Sequence, residues 1–326
     1  MSHKTPPNTA AKAEKKAASA SVQLHPRNRY QGRYDFARLL QAEPDLSAFL
    51  AMNEHGEQAI DFADANALKT LNRALLKDWY GIVGWNIPEN SLCPPVPGRA
   101  DYLHYLADLL AGSNQARTPK KKSVQVLDIG TGSSCIYPLL GVSEYQWQFV
   151  ASDINATSLA HAKSLLDVNP RLAQQIQLRL QTSPDAIFEN IVLDDEWFDL
   201  SMCNPPFHTS LAEAREGTQR KWKNLGKENT HLNFGGQDAE LWCAGGELAF
   251  IQRMIKESAA ISTRCFWFTT LVSKSTSLPG IYSALKQAKV ADHKTIAMSQ
   301  GNKQSRLVAW TFLNPMQQRA WRKLRW

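Results

Sequence analysis

The tetrapeptide Asn204-Pro205-Pro206-Phe207 closes an apolar run, Phe198-Asp199-Leu200-Ser201-Met202-Cys203. A planar amine or amide nitrogen is a poor nucleophile because its lone pair is delocalised. A protein that makes it react must hold its N–H bonds with fixed acceptors. The Asn204 side-chain oxygen and the Pro205 carbonyl are such acceptors. The two prolines fix φ and therefore the direction of that carbonyl. Phe207 offers a face on which a base can stack, worth about 1–3 kcal/mol. Asn204, Pro205, Pro206 and Phe207 are the candidate catalytic residues, and positioning is the expected source of rate. A base gripped in this way must be single-stranded or turned out of its stack. The motif suits N6 of adenine and a protein glutamine amide alike.

Some seventy residues upstream, Val126-Leu127-Asp128-Ile129-Gly130-Thr131-Gly132 is an apolar strand ending in a glycine turn. Gly130 and Gly132 let the backbone turn tightly and approach a ligand that a Cβ would block. A dinucleotide site expects a third glycine three residues after the second. Cys135 stands there instead, which disfavours NAD and fits S-adenosylmethionine. The next strand ends at Ser152-Asp153, about 20 positions on, where an acid can accept from both ribose hydroxyls. Asn155 is available to cap the helix that follows. Ser133 and Ser134, at a helix start, can meet a carboxylate.

These pieces need a scaffold that brings strand ends together. From Ser123 onward strands and helices alternate: strands at 124–129, 148–154, 176–180, 198–203 and 265–272, and helices from 135, at 156–169, 245–262 and 279–289. The pattern predicts a Rossmann-like α/β domain, a mostly parallel sheet with helices on both faces. Its ligands bind beyond the carboxyl ends of the strands. Residues 294–298 and 306–313 close the sheet as an antiparallel hairpin. Before it, helices are expected at 34–50, 64–79 and 99–110, with Asp64 or Asn66 capping the second. The organisation expected is a disordered basic tail (1–24), a helical N-terminal module (25–118), the catalytic domain (119–314) and a basic C-terminal tail (315–326). The stretch from Thr209 to Ala244 has no clean period, carries Arg215, Arg220, Lys221, Lys223 and Lys227, and reads as a functional insertion.

Composition excludes several classes. The chain has 326 residues, is 43% hydrophobic and 21% charged, and carries a formal net charge of +7, which favours an anionic partner. Five cysteines without a Cys-x-x-Cys pair suggest neither a disulfide framework nor a zinc site. They fit a reducing, cytoplasmic setting. No apolar run reaches the ~20 residues of a membrane span. The first twenty residues hold Lys4, Lys12, Lys15 and Lys16 without an apolar core, unlike a signal peptide.

Further stretches complete a resemblance: His25-Pro26-Arg27-Asn28-Arg29-Tyr30, Cys93-Pro94-Pro95-Val96-Pro97-Gly98-Arg99-Ala100-Asp101-Tyr102, Leu232-Asn233-Phe234-Gly235-Gly236, Gly245-Gly246-Glu247 and Gln304-Ser305-Arg306. Together with the two motifs above, they resemble the bacterial 23S rRNA (adenine-N6)-methyltransferases that modify adenine 1618 and their metazoan relatives acting on U6 small nuclear RNA. The resemblance implies a class I S-adenosylmethionine-dependent methyltransferase domain behind a helical RNA-binding module. It implies cofactor contacts from Arg99 (to the carboxylate), Asp128, Gly130, Gly132, Ser134, Asp153, Ser183 and Asn204. Relatives often carry Glu where this chain has Asp153. RNA contacts are expected from Arg27, Arg29, Tyr30, Arg33, Arg220, Lys221 and Lys223, with Arg319, Arg322, Lys323 and Arg325 extending the basic surface. The expected partner is 23S rRNA or a large-subunit assembly intermediate, bound by a monomer without metal. Competing readings are a protein glutamine-N5 methyltransferase, an N6-adenine methyltransferase of another RNA or of DNA, and a non-enzymatic RNA-binding protein.

Overall fold

The computed structural model describes residues 24–89, 91–119, 121–206, 243–300 and 303–326. Helix α1 (Phe36–Ala42) is capped by Asp35, which accepts from the Arg38 N–H. The single helix expected over 34–50 is instead divided. Pro44 lacks an N–H and cannot continue a helix, so a 3₁₀ segment, Pro44–Phe49, follows. A short hairpin, β1 (Leu50–Met52) and β2 (Gln58–Ile60), comes next. Helix α2 (Ala65–Tyr80) starts as expected at Asp64, whose carboxylate accepts from the Asn66 and Ala67 N–H groups. It ends at Gly81 with φ 67°, the left-handed stop that glycine makes cheap. Helix α3 (Val96–Ser113) begins three residues before the expected Arg99, since a proline in the first turn costs no hydrogen bond.

The alternating half forms a seven-stranded sheet. In chain order its elements are β3 (Gln125–Ile129), α4 (Ile136–Tyr145), β4 (Gln148–Asp153), α5 (Ala156–Asp167), α6 (Pro170–Ala173), β5 (Ile176–Leu180), β6 (Phe198–Cys203), α7 (Gly246–Ser258), β7 (Cys265–Val272), α8 (Leu278–Gln287), β8 (Asp292–Gln300), β9 (Lys303–Thr311) and α9 (Pro315–Arg325). The strand order is β5-β4-β3-β6-β7-β9-β8. Strands β3 to β7 pair in parallel, and β9 runs antiparallel to both β7 and β8. This is the class I methyltransferase architecture. Strand β6 is buried at every position, as a central parallel strand with both faces covered must be.

One apolar cluster on one face joins Leu71, Leu75, Tyr102 and Leu106 of the N-terminal helices to Leu139, Phe149, Leu200 and Phe266. The N-terminal helices and the sheet thus share a core. The other face packs Leu127, Phe198 and Phe268 under Ile251 and Met254 of α7 and Trp310 of β9.

The C-terminal segment, expected as a basic tail, is a helix. Asn314 and Gln317 form a capping box at its start. Its anchor is Asp199, a fully buried carboxylate in β6. Asp199 accepts from the Trp321 and Trp326 indoles, each at 2.7 Å, from Arg325, and from the Gln125 N–H at 2.8 Å. Among the described residues no helix is long and apolar enough to cross a membrane.

Candidate active site

Register brings the motifs together. Ile129 at the end of β3 pairs with Ser152 of β4 on one side and with Cys203 of β6 on the other. Gly130, Asp153 and Asn204 therefore emerge side by side at the carboxyl edge, where the strand order switches and α/β proteins bind ligands. They border a cavity of about 230 Å³.

The glycine turn is held by β4: the Gly130 and Thr131 N–H groups donate to the Ser152 carbonyl at 2.9 and 3.0 Å. Gly130 has φ 73°, and a Cβ built on it would meet nothing within 4 Å. That open space is the cavity itself. Asp153 accepts from the Gly132 N–H through Oδ2 and from the Asn155 N–H through Oδ1, both at 2.8 Å. Burial raises its carboxyl above the usual range, and the N–H groups of Asn155, Gly132 and Ile154 oppose that rise. Asn155 caps α5 as expected, accepting from the Thr157 and Ser158 N–H groups.

On the opposite wall, Arg99 in the first turn of α3 donates to the Tyr137 hydroxyl at 2.9 Å and lies over that ring at 5.5 Å. Its Nε is buried without a hydrogen-bond partner among the described residues. Ser134 lines the cavity, and its carbonyl accepts from the Trp85 indole at 3.1 Å. Asp128 differs from the expectation: it does not line the cavity but lies behind the glycine turn, wholly enclosed. Both of its carboxylate oxygens, and the Thr131 hydroxyl oxygen, lack hydrogen-bond partners among the described residues. Burial, reinforced by Asp153, pushes the Asp128 carboxyl up to about 7 against the opposing pull of Thr131 and Arg99. Ser183, expected to contact the cofactor, lies between two residues of the cavity lining, Gln181 and Pro184, and is not in that lining itself. Its backbone N–H donates to the Gln181 side chain at 2.8 Å, and Gln181 is the residue that lines the cavity. The side chain of Gln181, fixed by donation to the Glu189 carbonyl at 2.8 Å, turns this strand end inward.

Asn204 and Pro206 line the cavity while Pro205 is buried beside them. The Asn204 Oδ1 is buried and has no partner among the described residues. Beneath the motif the Thr269 hydroxyl donates to the Ser201 carbonyl at 2.8 Å and meets the buried Tyr102 hydroxyl at 2.7 Å. The clamp thus stands on a rigid base. Phe207, Arg220, Lys221 and Lys223 lie outside the described residues. Phe250 and Arg253, one helical turn apart on α7, also line the cavity. Sequence reasoning missed them; their i, i+3 spacing after Gly245-Gly246 was the available signal.

The basic residues of the N-terminal module are mostly engaged within the fold. Arg27 donates to Asp108 and to the His104 carbonyl, both at 2.7 Å. Arg29 donates to Glu144 at 2.8 Å and to the Trp79 carbonyl, and sits 4.8 Å from the Tyr80 ring centre. Tyr30 packs on Tyr34 at 4.7 Å. The carboxylates that neutralise Arg27 and Arg29 come from α3 and α4, so these arginines fasten the segment to the domain. Arg33 extends furthest into solvent, its side chain 85% exposed against 42% and 41% for Arg27 and Arg29, and among the described residues its ion-pair partner is the exposed Glu57.

Among the described residues the buried Asn204 Oδ1 and the Arg99 Nε lack partners, and with the open space above Gly130 and the Asp153 carboxylate they fit a ligand that carries an ammonium, a carboxylate and ribose hydroxyls. Fold and site define a class I methyltransferase. A family model described as RNA methyltransferase matches residues 17–314, and the chain belongs to that family. It is 54% identical over 319 residues to ribosomal RNA large subunit methyltransferase F of Pseudomonas aeruginosa PAO1, covering 96% of this chain and 94% of the relative. The protein of the same name from Methylobacillus flagellatus is 52% identical over 321 residues, covering 93% and 96%. Among solved structures, the hMettl16 catalytic domain in complex with the MAT2A 3′UTR hairpin 1 superposes with a TM-score of 0.76 at 29% identity, over 90% of this chain and 96% of that one. The N-terminal domain of human METTL16 in complex with SAH gives 0.71 at 28% identity, over 89% and 99%.

Proposed function

We propose that this chain methylates N6 of one adenine in 23S ribosomal RNA, adenine 1618 by its resemblance, with S-adenosylmethionine as donor. The observation that carries the chemistry is the buried Asn204 Oδ1 beside the glycine turn, without a partner among the described residues; the near full-length relatives named ribosomal RNA large subunit methyltransferase F support the substrate. Bound in the cavity, the cofactor supplies an electrophilic sulfonium methyl group. Arg99 would hold its carboxylate, Gly130, Gly132 and Ser134 its methionine side, and Asp153 with Gln181 its ribose. Asp128 offers buried acceptor oxygens beneath the turn.

Asn204 Oδ1 and the Pro205 carbonyl accept from the two N–H bonds of the adenine amine and thereby aim its lone pair. Pro206 restricts the backbone, and Phe207 stacks on the base. No protein base is needed to activate the amine, so alignment supplies most of the rate. The enzyme is read as a cytoplasmic monomer that needs no metal, acting on free 23S rRNA or a large-subunit assembly intermediate. Arg33, with Arg220, Lys221 and Lys223, would meet its phosphates.

Mass spectrometry of 23S rRNA fragments from cells with and without the gene tests the proposal. Loss of a single N6-methyladenosine, restored by the wild type and not by Asn204→Ala, is the expected result. The purified variant should lose about a hundredfold or more in transfer and keep its cofactor affinity. An unchanged rRNA pattern would move the substrate to another RNA or to a protein glutamine.

A further inference from the structure

Helix α9 has two faces with opposite chemistry. The inner face is fastened to Asp199 by Trp321 and Arg325, with Trp326 just beyond the helix end. The outer face carries Arg319 and Lys323 at i and i+4, both exposed, and Arg322 between them. Arg322 donates to the Ser113 carbonyl at 2.8 Å, a neutral partner. Among the described residues no carboxylate pairs with Arg319, Arg322 or Lys323; the ion pair of this helix is Arg325 with Asp199. The helix itself contains no acidic residue. The three cations line a cleft with Asn114 and Gln115 from the end of α3, and exposed Arg117 lies two residues further along that turn. Beside the helix, Trp197 leans on Trp321 at 5.5 Å while remaining 43% exposed.

Like charges at i, i+4 destabilise a helix by a few tenths of a kcal/mol. Arg322 and Lys323 sit in the last turn, where the helix macrodipole favours cations and offsets part of that cost, on a helix fixed in place from beneath. We infer that the outer face of α9 and the adjoining α3 turn form a second RNA-backbone surface, remote from the target base. Asp199 lies five residues before Asn204 in the same strand, about 16 Å away along it. A surface at that remove contacts phosphates flanking the modified nucleotide and leaves base selection to the clamp. The occupant is a polyanion because successive phosphates supply a run of negative charges that matches three cations within little more than one helical turn. This rests on the RNA methyltransferase reading.

The test is binding of an in vitro transcribed 23S rRNA fragment bearing the target adenine, across potassium chloride from about 50 to 200 mM. The proteins compared are wild type, Arg319→Glu/Lys323→Glu, and Arg319→Gln/Lys323→Gln. Losing two phosphate contacts lowers the slope of log K against log salt by about 1.4, and weakens binding about tenfold or more near 0.1 M salt. S-adenosylhomocysteine affinity and melting temperature should match wild type for both variants, since neither residue touches Asp199 or the cavity. A slope and dissociation constant equal to wild type in both variants would overturn the inference and assign the face to a protein partner or to none. Wild-type methyl transfer to the same fragment tests the substrate reading separately: its failure leaves the slope comparison intact as a measure of the helix.

Discussion

The Gly132 N–H donates to Oδ2 of Asp153 at 2.8 Å, so the acid proposed to hold the ribose also ties down the glycine turn. Each oxygen of Asp153 already accepts one backbone N–H and keeps a lone pair toward the cavity. Asp153→Asn replaces one acceptor with a donor, which must face the N–H of either Gly132 or Asn155. Cofactor affinity should fall about tenfold, and in Asp153→Ala, which also frees the turn, up to about a hundredfold. Calorimetric titration with S-adenosylhomocysteine reads this directly. Both variants binding within about threefold of wild type would remove Asp153 from the cofactor site.

Asp128 makes stability depend on pH. Its carboxyl titrates at about 7 in the folded protein because burial disfavours the charge, against about 3.9 in an unfolded chain. Below pH ~4 both states hold the proton. Between about 4 and 7 the unfolded chain releases it first, so the folded state loses stability as pH rises, and the loss persists above pH ~7. Asp128→Asn cannot titrate. Its melting temperature without cofactor should therefore gain on wild type between pH ~5 and pH ~8. A gap of the same size at both ends would show that Asp128 does not titrate in this window.

What could be read from the sequence follows how locally each signal is encoded. Strands 198–203 and 265–272 were legible to the residue because buried parallel strands are short apolar runs, and 176–180 because the edge strand Ile-Gln-Leu-Arg-Leu alternates apolar and polar residues. The Asn204 clamp and Gly130 turn were legible because each is a compact motif at a strand end. The β1–β2 hairpin was not, since strands of three residues are too short to show a period. Arg27 and Arg29 read as free cations because Asp108 and Glu144 lie 81 and 115 positions away. Helix α9 read as a tail for the same reason: Asp199 is 122 positions from Trp321. Phe250 and Arg253 carry only the weak signal of their i, i+3 spacing, and the packing of β5 and α7 is what brings them and Gln181 to the cavity.

The N-terminal arginines divide by role. Arg29→Ala removes contacts to Glu144, the Trp79 carbonyl and the Tyr80 ring. Because the pair is partly exposed, the expected cost is only about 1 kcal/mol, seen as a lower melting temperature. The salt slope of RNA binding should stay at the wild-type value. Arg33→Ala should do the reverse, leaving melting unchanged and lowering the slope by about 0.7 to 1. A slope reduced by Arg29→Ala as much as by Arg33→Ala, with no change in melting, would return Arg29 to the phosphate contacts.

Asp199 and the C-terminal helix offer the sharpest stability test, because one carboxylate gathers donors from three places. Trp321→Phe replaces a buried indole with a smaller ring and deletes one N–H, a change in packing that the double-variant comparison cancels, and Asp199 retains Trp326, Arg325 and Gln125 as partners. Its cost should be about 1–3 kcal/mol for the lost hydrogen bond to a charged group, plus the volume that the smaller ring leaves unfilled. Asp199→Asn removes the charge opposite Arg325 and turns an amide N–H₂ toward groups that can only donate, so its cost should be about 3–5 kcal/mol. In the double variant the indole N–H no longer has a carboxylate to lose, and the two effects should sum to more than the measured total. Denaturant titration of all four proteins gives this coupling. Simple additivity would mean that the indole and the carboxylate do not stabilise one another. Because Asp199 lies at the amino end of β6 and Asn204 at its carboxyl end, the folded fraction of each variant should bind S-adenosylhomocysteine as wild type does. A weakened cofactor site in folded Asp199→Asn protein would instead show that the C-terminal helix sets the position of the clamp through the strand.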